Sequence, residues 1–198
     1  MATGKWTKET WTTAALQAIA RGGIAAVAVD TLATELGATR GSFYWHFKDR
    51  GALLDAAMAA WEDLETTQVQ AQVAAINDPQ LRMRTLFRMA LLEADDPIPG
   101  LEPAIYAQPD HPAVAPTLRR VTERRLRILT TGFGEMGLAP AKARRQAVLS
   151  YATYVGWLQL RRTAADMVPE VSTTGRKATL AVNHLVDQLI PANTDGTR

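Results

Sequence analysis

Apolar residues recur at intervals of three and four along most of this chain, the spacing that lines one face of an α-helix, and no segment alternates with the period of two that marks a half-buried strand. Trp11, Ala15, Leu16 and Ile19 form the first such stripe and predict a helix over about 7–21, ended by Gly22 and Gly23. A long helix is expected from near Asp49 towards Ile76, stopped by Asn77, Asp78 and Pro79, with the length of a lever between two domains. Beyond Pro79 a helix to about Glu93 carries Leu81, Leu86, Phe87 and Leu91, followed by a loop over 95–100 and a short helix over 101–107. Pro109 and Pro112 break that helix. Two long helices follow at about 113–136 and 141–165, separated by Gly137, Leu138, Ala139 and Pro140, and a last helix runs from about Thr174 to Leu189, closed by Pro191. The pattern predicts an all-α fold.

The segment 29–47 is patterned more specifically. Leu32 and Leu36 stand four apart on a helix that begins near Val29, with Ala33 small enough for a second helix to cross closely. Gly37 stops that helix, because it enters the left-handed conformation that a Cβ resists. Thr39 is an N-cap residue for the next helix, which therefore starts at Arg40. The aromatic run Phe43, Tyr44, Trp45, His46, Phe47 has the composition of a strand, but on a helix Phe43 and Phe47 share a face and pack inward with Leu32 and Leu36. Tyr44 and Trp45 are left on neighbouring faces with Arg40. Two short helices across a glycine turn make a helix-turn-helix, which presents its second helix to the major groove of DNA. Arg40 is then the candidate for direct base readout, with Trp45 against a thymine methyl or a sugar. Thr39, Ser42, Tyr44, His46 and Lys48 are the candidates for holding the phosphate backbone.

Ala33, Gly37, Gly41, the run 43–47 and the following Lys48, Asp49, Arg50, Gly51, Ala52, Leu53 and Leu54 together resemble the TetR family of transcriptional regulators. The motif-bearing resemblance covers about the first quarter of the chain. It implies a homodimeric, ligand-controlled repressor with an N-terminal three-helix DNA-binding domain, 1–48, and a larger C-terminal helical domain for ligand binding and dimerisation, 49–198. One departure concerns Ala28, where many members of the family carry a Thr or Ser that caps the motif's first helix and touches phosphate. Asp30 is expected to supply part of the capping, but a carboxylate is repelled by phosphate, so neither residue is counted as a DNA contact.

Composition narrows the remaining classes. Hydrophobic residues make up 47% of 198 residues, enough for a core in one or two domains. The absence of cysteine excludes disulfides, thiolate metal sites and thiol catalysis. The N-terminus has no apolar signal core, and no apolar run approaches the ~20 residues that cross a bilayer, so a cytoplasmic protein with no membrane partner is expected. The net charge of +2 hides a segregation: +2 over 1–48, −7 over 49–110, +6 over 111–146 and +1 over 147–198. The acidic middle would be repelled by DNA, so a binding surface must be local. Arg119, Arg120, Arg124, Arg125 and Arg127 form a rival basic patch, but they encircle a helix that also bears Leu118, Val121 and Leu126. They read more simply as a solvated face whose stems cover apolar surface or whose heads pair with the acidic middle.

His46, His111 and His184 are far apart and none has a metal-ligand partner three or four residues away. With no phosphate-cradling glycine loop and no nucleophile elbow either, neither an enzyme nor a cofactor is expected. In the C-terminal part, Leu149, Ala152 and Gly156, with Leu180, Leu185 and Leu189, suit a dimer surface on the helices near 141–165 and 174–189; burial within one subunit is the competing reading. Trp61, Phe87, Met89, Tyr106, Phe133, Met136, Tyr154 and Trp157 are candidates to line an apolar effector site, and ordinary packing accounts for each one singly. The resulting expectation is a dimeric regulator, a repressor, bound to a palindromic double-stranded DNA operator and released by a small-molecule effector. The alternative is a helical ligand-binding or interaction protein without sequence-specific DNA binding.

Overall fold

Thr7 starts the first helix by accepting from the Thr10 N–H, while the Thr10 hydroxyl accepts in return from the Thr7 N–H. The computed structural model describes residues 6–92, 97–168 and 175–190. Within them lie α1 (Lys8–Gly22), a 3-10 turn at Ile24–Ala26, α2 (Val29–Leu36), α3 (Arg40–His46) and α4 (Arg50–Asp63). A π-helical turn at Leu64–Gln68 leads to α5 (Val69–Val73), followed by α6 (Pro79–Leu92), α7 (Leu101–Tyr106), α8 (Ala115–Glu135), α9 (Pro140–Ala164) and α10 (Arg176–Leu189). No strand occurs among the described residues. Glu93, residues 95 and 96 of the expected loop, Thr174 and Pro191 lie outside them.

Two expectations are corrected. The lever from Asp49 to Ile76 is not one α-helix: α4 ends at Asp63, and the regular ladder resumes only for α5, which ends at Val73. Within the π-helical turn, buried Thr66 donates its hydroxyl to the Glu62 carbonyl at 2.6 Å. Pro140, expected in the separator, is instead the first residue of α9. Pro79 likewise opens α6, where the Asp78 carboxylate accepts from the N–H groups of Gln80 and Leu81 at 2.9 and 3.3 Å. A proline has no N–H to leave unsatisfied in a first turn and its fixed φ suits a helix start.

The helices divide into two compact units, one from the described residues of Met1–Thr67 and Pro97–Val121, the other from those of Gln68–Asp96 and Thr122–Arg198. The first is built on a core of Trp11, Leu16, Ile19, Leu32, Phe43, Phe47, Leu53, Met58 and Trp61. Leu101, Ile105, Val114 and Val121 complete that core as α7 packs on α1. Gly23, between α1 and the 3-10 turn, takes φ 69°, a conformation that a residue with a Cβ rarely adopts.

In the second unit α6 packs on α9 and α10. Met83, Phe87 and Leu91 of α6, Leu129 and Phe133 of α8, Tyr154 and Trp157 of α9 and Val182 and Val186 of α10 are buried. The Gln146 amide donates to the Leu189 carbonyl at 2.7 Å, and ion pairs join Arg82 to Glu135 and Arg84 to Asp187.

Candidate nucleic-acid interface

The turn between α2 and α3 closes through backbone bonds that glycine makes possible. Gly37 takes the left-handed conformation at φ 62°, its N–H reaches the Thr34 carbonyl at 3.1 Å, and the Ala38 N–H reaches back to Ala33 at 2.8 Å. The chain then becomes extended at Thr39, whose hydroxyl accepts from the Ser42 N–H at 3.1 Å and caps α3.

Helix α3 is oriented by its inner face. Phe43 is fully buried, edge-on to Trp11 at 5.3 Å between centroids and stacked on Phe47 at 5.7 Å. Tyr44 lies edge-on to the same ring at 5.1 Å but remains 53% exposed, and Trp45 is 86% exposed. So large an exposed indole contributes little to the core and is available to a partner. Arg40, Gly41 and Thr39 are exposed on the same short helix and its cap, Ser42 and His46 are half-buried, and exposed Lys48 follows in the link to α4. All seven residues read from the sequence as DNA contacts therefore fall on α3 or its immediate flanks.

Three contacts that brace this unit are invisible to helical periodicity. Arg50, at the start of α4, donates from Nε to the Val27 carbonyl and from Nη2 to the Ile24 carbonyl, both at 2.6 Å, tying α4 to the turn that precedes α2. The Trp6 indole N–H donates to the Leu36 carbonyl at 2.9 Å, at the end of α2. Arg21 of α1 pairs with Glu35 of α2 at 2.8 Å.

Asp30 departs from its expected part. Ala28 is the N-cap of α2, and no side-chain cap bond is made there. The Asp30 carboxylate instead meets Nε of Arg40 at 3.1 Å, across the turn. Hydrogen bonding to Tyr44 first, and the charge of Asp30 second, raise the Arg40 pKa above its ordinary value. Arg40 is thus paired across the turn with a residue of the motif's first helix.

The rival arginines are partly committed elsewhere. Arg120 pairs with Glu62 at 2.6 Å, Arg124 donates to the Gln70 side chain at 3.1 Å, and Arg125 lies over the Tyr154 ring at 5.2 Å. Glu62 belongs to the acidic middle of the sequence.

The aromatic and methionine set divides between the two units. Buried Trp61 and half-buried Tyr106 belong to the first, and Phe87, Met89, Phe133, Met136, Tyr154 and Trp157 to the second. Within the second, Phe87 and Phe133 stand 6.3 Å apart, Arg161 lies over the Trp157 ring at 5.9 Å, and the Trp157 indole donates to the Leu91 carbonyl at 2.9 Å. Met89 and Met136 are half-buried. Buried polar atoms with no hydrogen-bond partner among the described residues include Nε1 of Trp11 and of Trp61 in the first unit and Oγ of Ser150 in the second. No helix among the described residues is long and apolar enough to cross a membrane.

Residues 12–57, from α1 into α4, match the family model of bacterial regulatory proteins, tetR family. The chain is 28% identical over 155 residues to the HTH-type transcriptional regulator BetI of Burkholderia ambifaria, an alignment covering 77% of this chain and 79% of that protein. The TetR transcriptional regulator from Legionella pneumophila has the same fold, with a TM-score of 0.74 at 17% identity over 96% of this chain and 100% of that one. AibR, solved in complex with isovaleryl coenzyme A and operator DNA, matches with a TM-score of 0.67 at 18% identity, covering 93% of this chain and 98% of that one.

Proposed function

Because residues 12–57 match the TetR family of bacterial regulatory proteins, we propose that this chain is a ligand-responsive repressor that binds a palindromic operator as a homodimer and releases it when a small molecule binds. The observation that carries the DNA-binding part is the outer face of α3, where Arg40, Tyr44 and Trp45 are exposed on a helix whose other face is locked into the core by Phe43. Arg40 reads a base, Trp45 packs on a thymine methyl or sugar, and Thr39, Ser42, Tyr44, His46 and Lys48 hold the backbone. DNA binding is assigned to residues 1–48, effector binding and dimerisation to 49–198.

Two further observations support the rest of the reading. Val148, Leu149 and Leu160 of α9 and Leu180 of α10 are 50, 55, 42 and 58% exposed, an apolar surface suited to a second copy of the chain. A dimer places two recognition helices in successive major grooves, about 34–36 Å apart. Ser150 Oγ of the second unit, buried with an unmet hydrogen bond, suits a polar atom of an effector, and the fold is shared with AibR, solved with both isovaleryl coenzyme A and operator DNA. Effector and operator are then coupled reciprocally: each weakens the other by the same factor.

The test is selection of bound fragments from genomic DNA, followed by titration of the recovered duplex over several salt concentrations. Wild type is expected to recover a near-palindrome. Arg40→Ala is expected to lose about ten- to a hundredfold in affinity and to relax one base preference, whereas Lys48→Ala weakens all sequences alike and lowers the salt slope by about one. Enrichment of no sequence, with only weak, strongly salt-dependent binding, would overturn the operator reading and favour a ligand-binding protein without specific DNA recognition.

A further inference from the structure

The ion pair between Asp30 and Arg40 sits on the face assigned to DNA, where a carboxylate is out of place on electrostatic grounds. Both side chains are largely exposed, at 68 and 62%, so the pair contributes little to stability and its presence needs another reason. The contact atom matters. A guanidinium has two edges that can bind in a paired manner; the Asp30 carboxylate stands 3.1 Å from Nε, on one of them, and the other is the terminal Nη edge. That edge matches O6 and N7 of guanine. Tyr44 stands one helical turn along α3 from Arg40.

We propose that Asp30 is a positioning residue for base readout: it holds Arg40 by Nε so that the Nη edge is presented to guanine, and its negative charge at the same time weakens binding to phosphates in general. The inference rests on the reading of Arg40 as the base-contacting residue. An arginine free to rotate about four side-chain bonds can satisfy any nearby phosphate. Tethered at Nε, it loses fewer conformations on meeting a base and gains less from an unspecific phosphate. Asp30 therefore raises the ratio of specific to unspecific affinity from both sides.

The experiment compares wild type, Asp30→Asn, Arg40→Ala and the double variant on the selected operator, on its single-base variants and on random duplex, with thermal melts of each protein. Asp30→Ser, which keeps a residue favourable at a helix start, guards against a folding loss in Asp30→Asn. In both Asp30 variants, discrimination at the one base pair read by Arg40 is expected to fall about fivefold or more, random duplex is expected to bind more tightly, and preferences elsewhere stay as in wild type. In the Arg40→Ala background the Asp30 substitution is expected to leave base preferences unchanged. If Arg40→Ala erases a preference that folded Asp30→Asn and Asp30→Ser retain in full, the positioning role is wrong and the Arg40 assignment stands. If Arg40→Ala erases no preference, both fall. A role confined to stabilising the start of α2 would lower the melting temperature without moving a single base preference, and that outcome also overturns the proposal.

Discussion

Gly37 holds the left-handed conformation at φ 62°, and a Cβ built there meets nothing within 4 Å. Replacement by alanine is therefore opposed by the backbone alone, by about 1–2 kcal/mol. Gly37→Ala should lower the melting temperature by about 2–4 °C for each kcal/mol, Gly37→Asn by less, and a melt unchanged by alanine would show that residue 37 is not held at positive φ. The glycine, the Thr39 cap and the inward face of Phe43 and Phe47 were all legible in the sequence, because glycine conformation, capping and the helical period are set within about four residues. Asp30 with Arg40, and Arg50 with Ile24 and Val27, were not. Those partners meet across turns, and spacing along the chain carries no record of which side chains a turn brings together.

Helix α3 has seven residues, so its start and its packing decide whether it persists. Thr39→Ala removes the hydroxyl bonded to the Ser42 N–H and should destabilise the chain by about 1 kcal/mol. Thr39→Ser should restore most of that loss. If the cap matters to function, calorimetric melts and operator affinity should fall together in the alanine variant and recover together in the serine variant. Fluorescence anisotropy with the selected duplex checks the second half. At this scale helix existence was read well and continuity less well. The expected lever is interrupted by the π-helical turn at Leu64–Gln68, and the prolines at 79 and 140 begin helices instead of separating them. A proline breaks a helix only from its interior, and the apolar period does not say which residue is the first turn.

For the whole molecule, the exposed apolar residues of α9 and α10 raise the question of what covers them. If a second copy does, Leu149→Glu with Leu180→Glu buries like charges in the interface and should convert the dimer to monomer in sedimentation equilibrium. Operator affinity should then collapse towards that of a single recognition helix, while the melt of the monomer stays cooperative. A dimer undisturbed by both substitutions would place the interface elsewhere.

The sequence by itself determined the helical class, the helix-turn-helix with its boundaries, and which face of α3 turns inward, because periodicity, glycine conformation and capping are local physics. It also carried the family resemblance in residues 33–54, which the match over 12–57 bears out. Only the tertiary structure decided that α7 packs on α1, that Trp61 and Trp157 belong to different units, and that Asp30 engages Arg40 instead of capping α2. Contacts between residues distant in the chain depend on how apolar faces find one another in three dimensions. A helical stripe states that a face will be buried, but not against what.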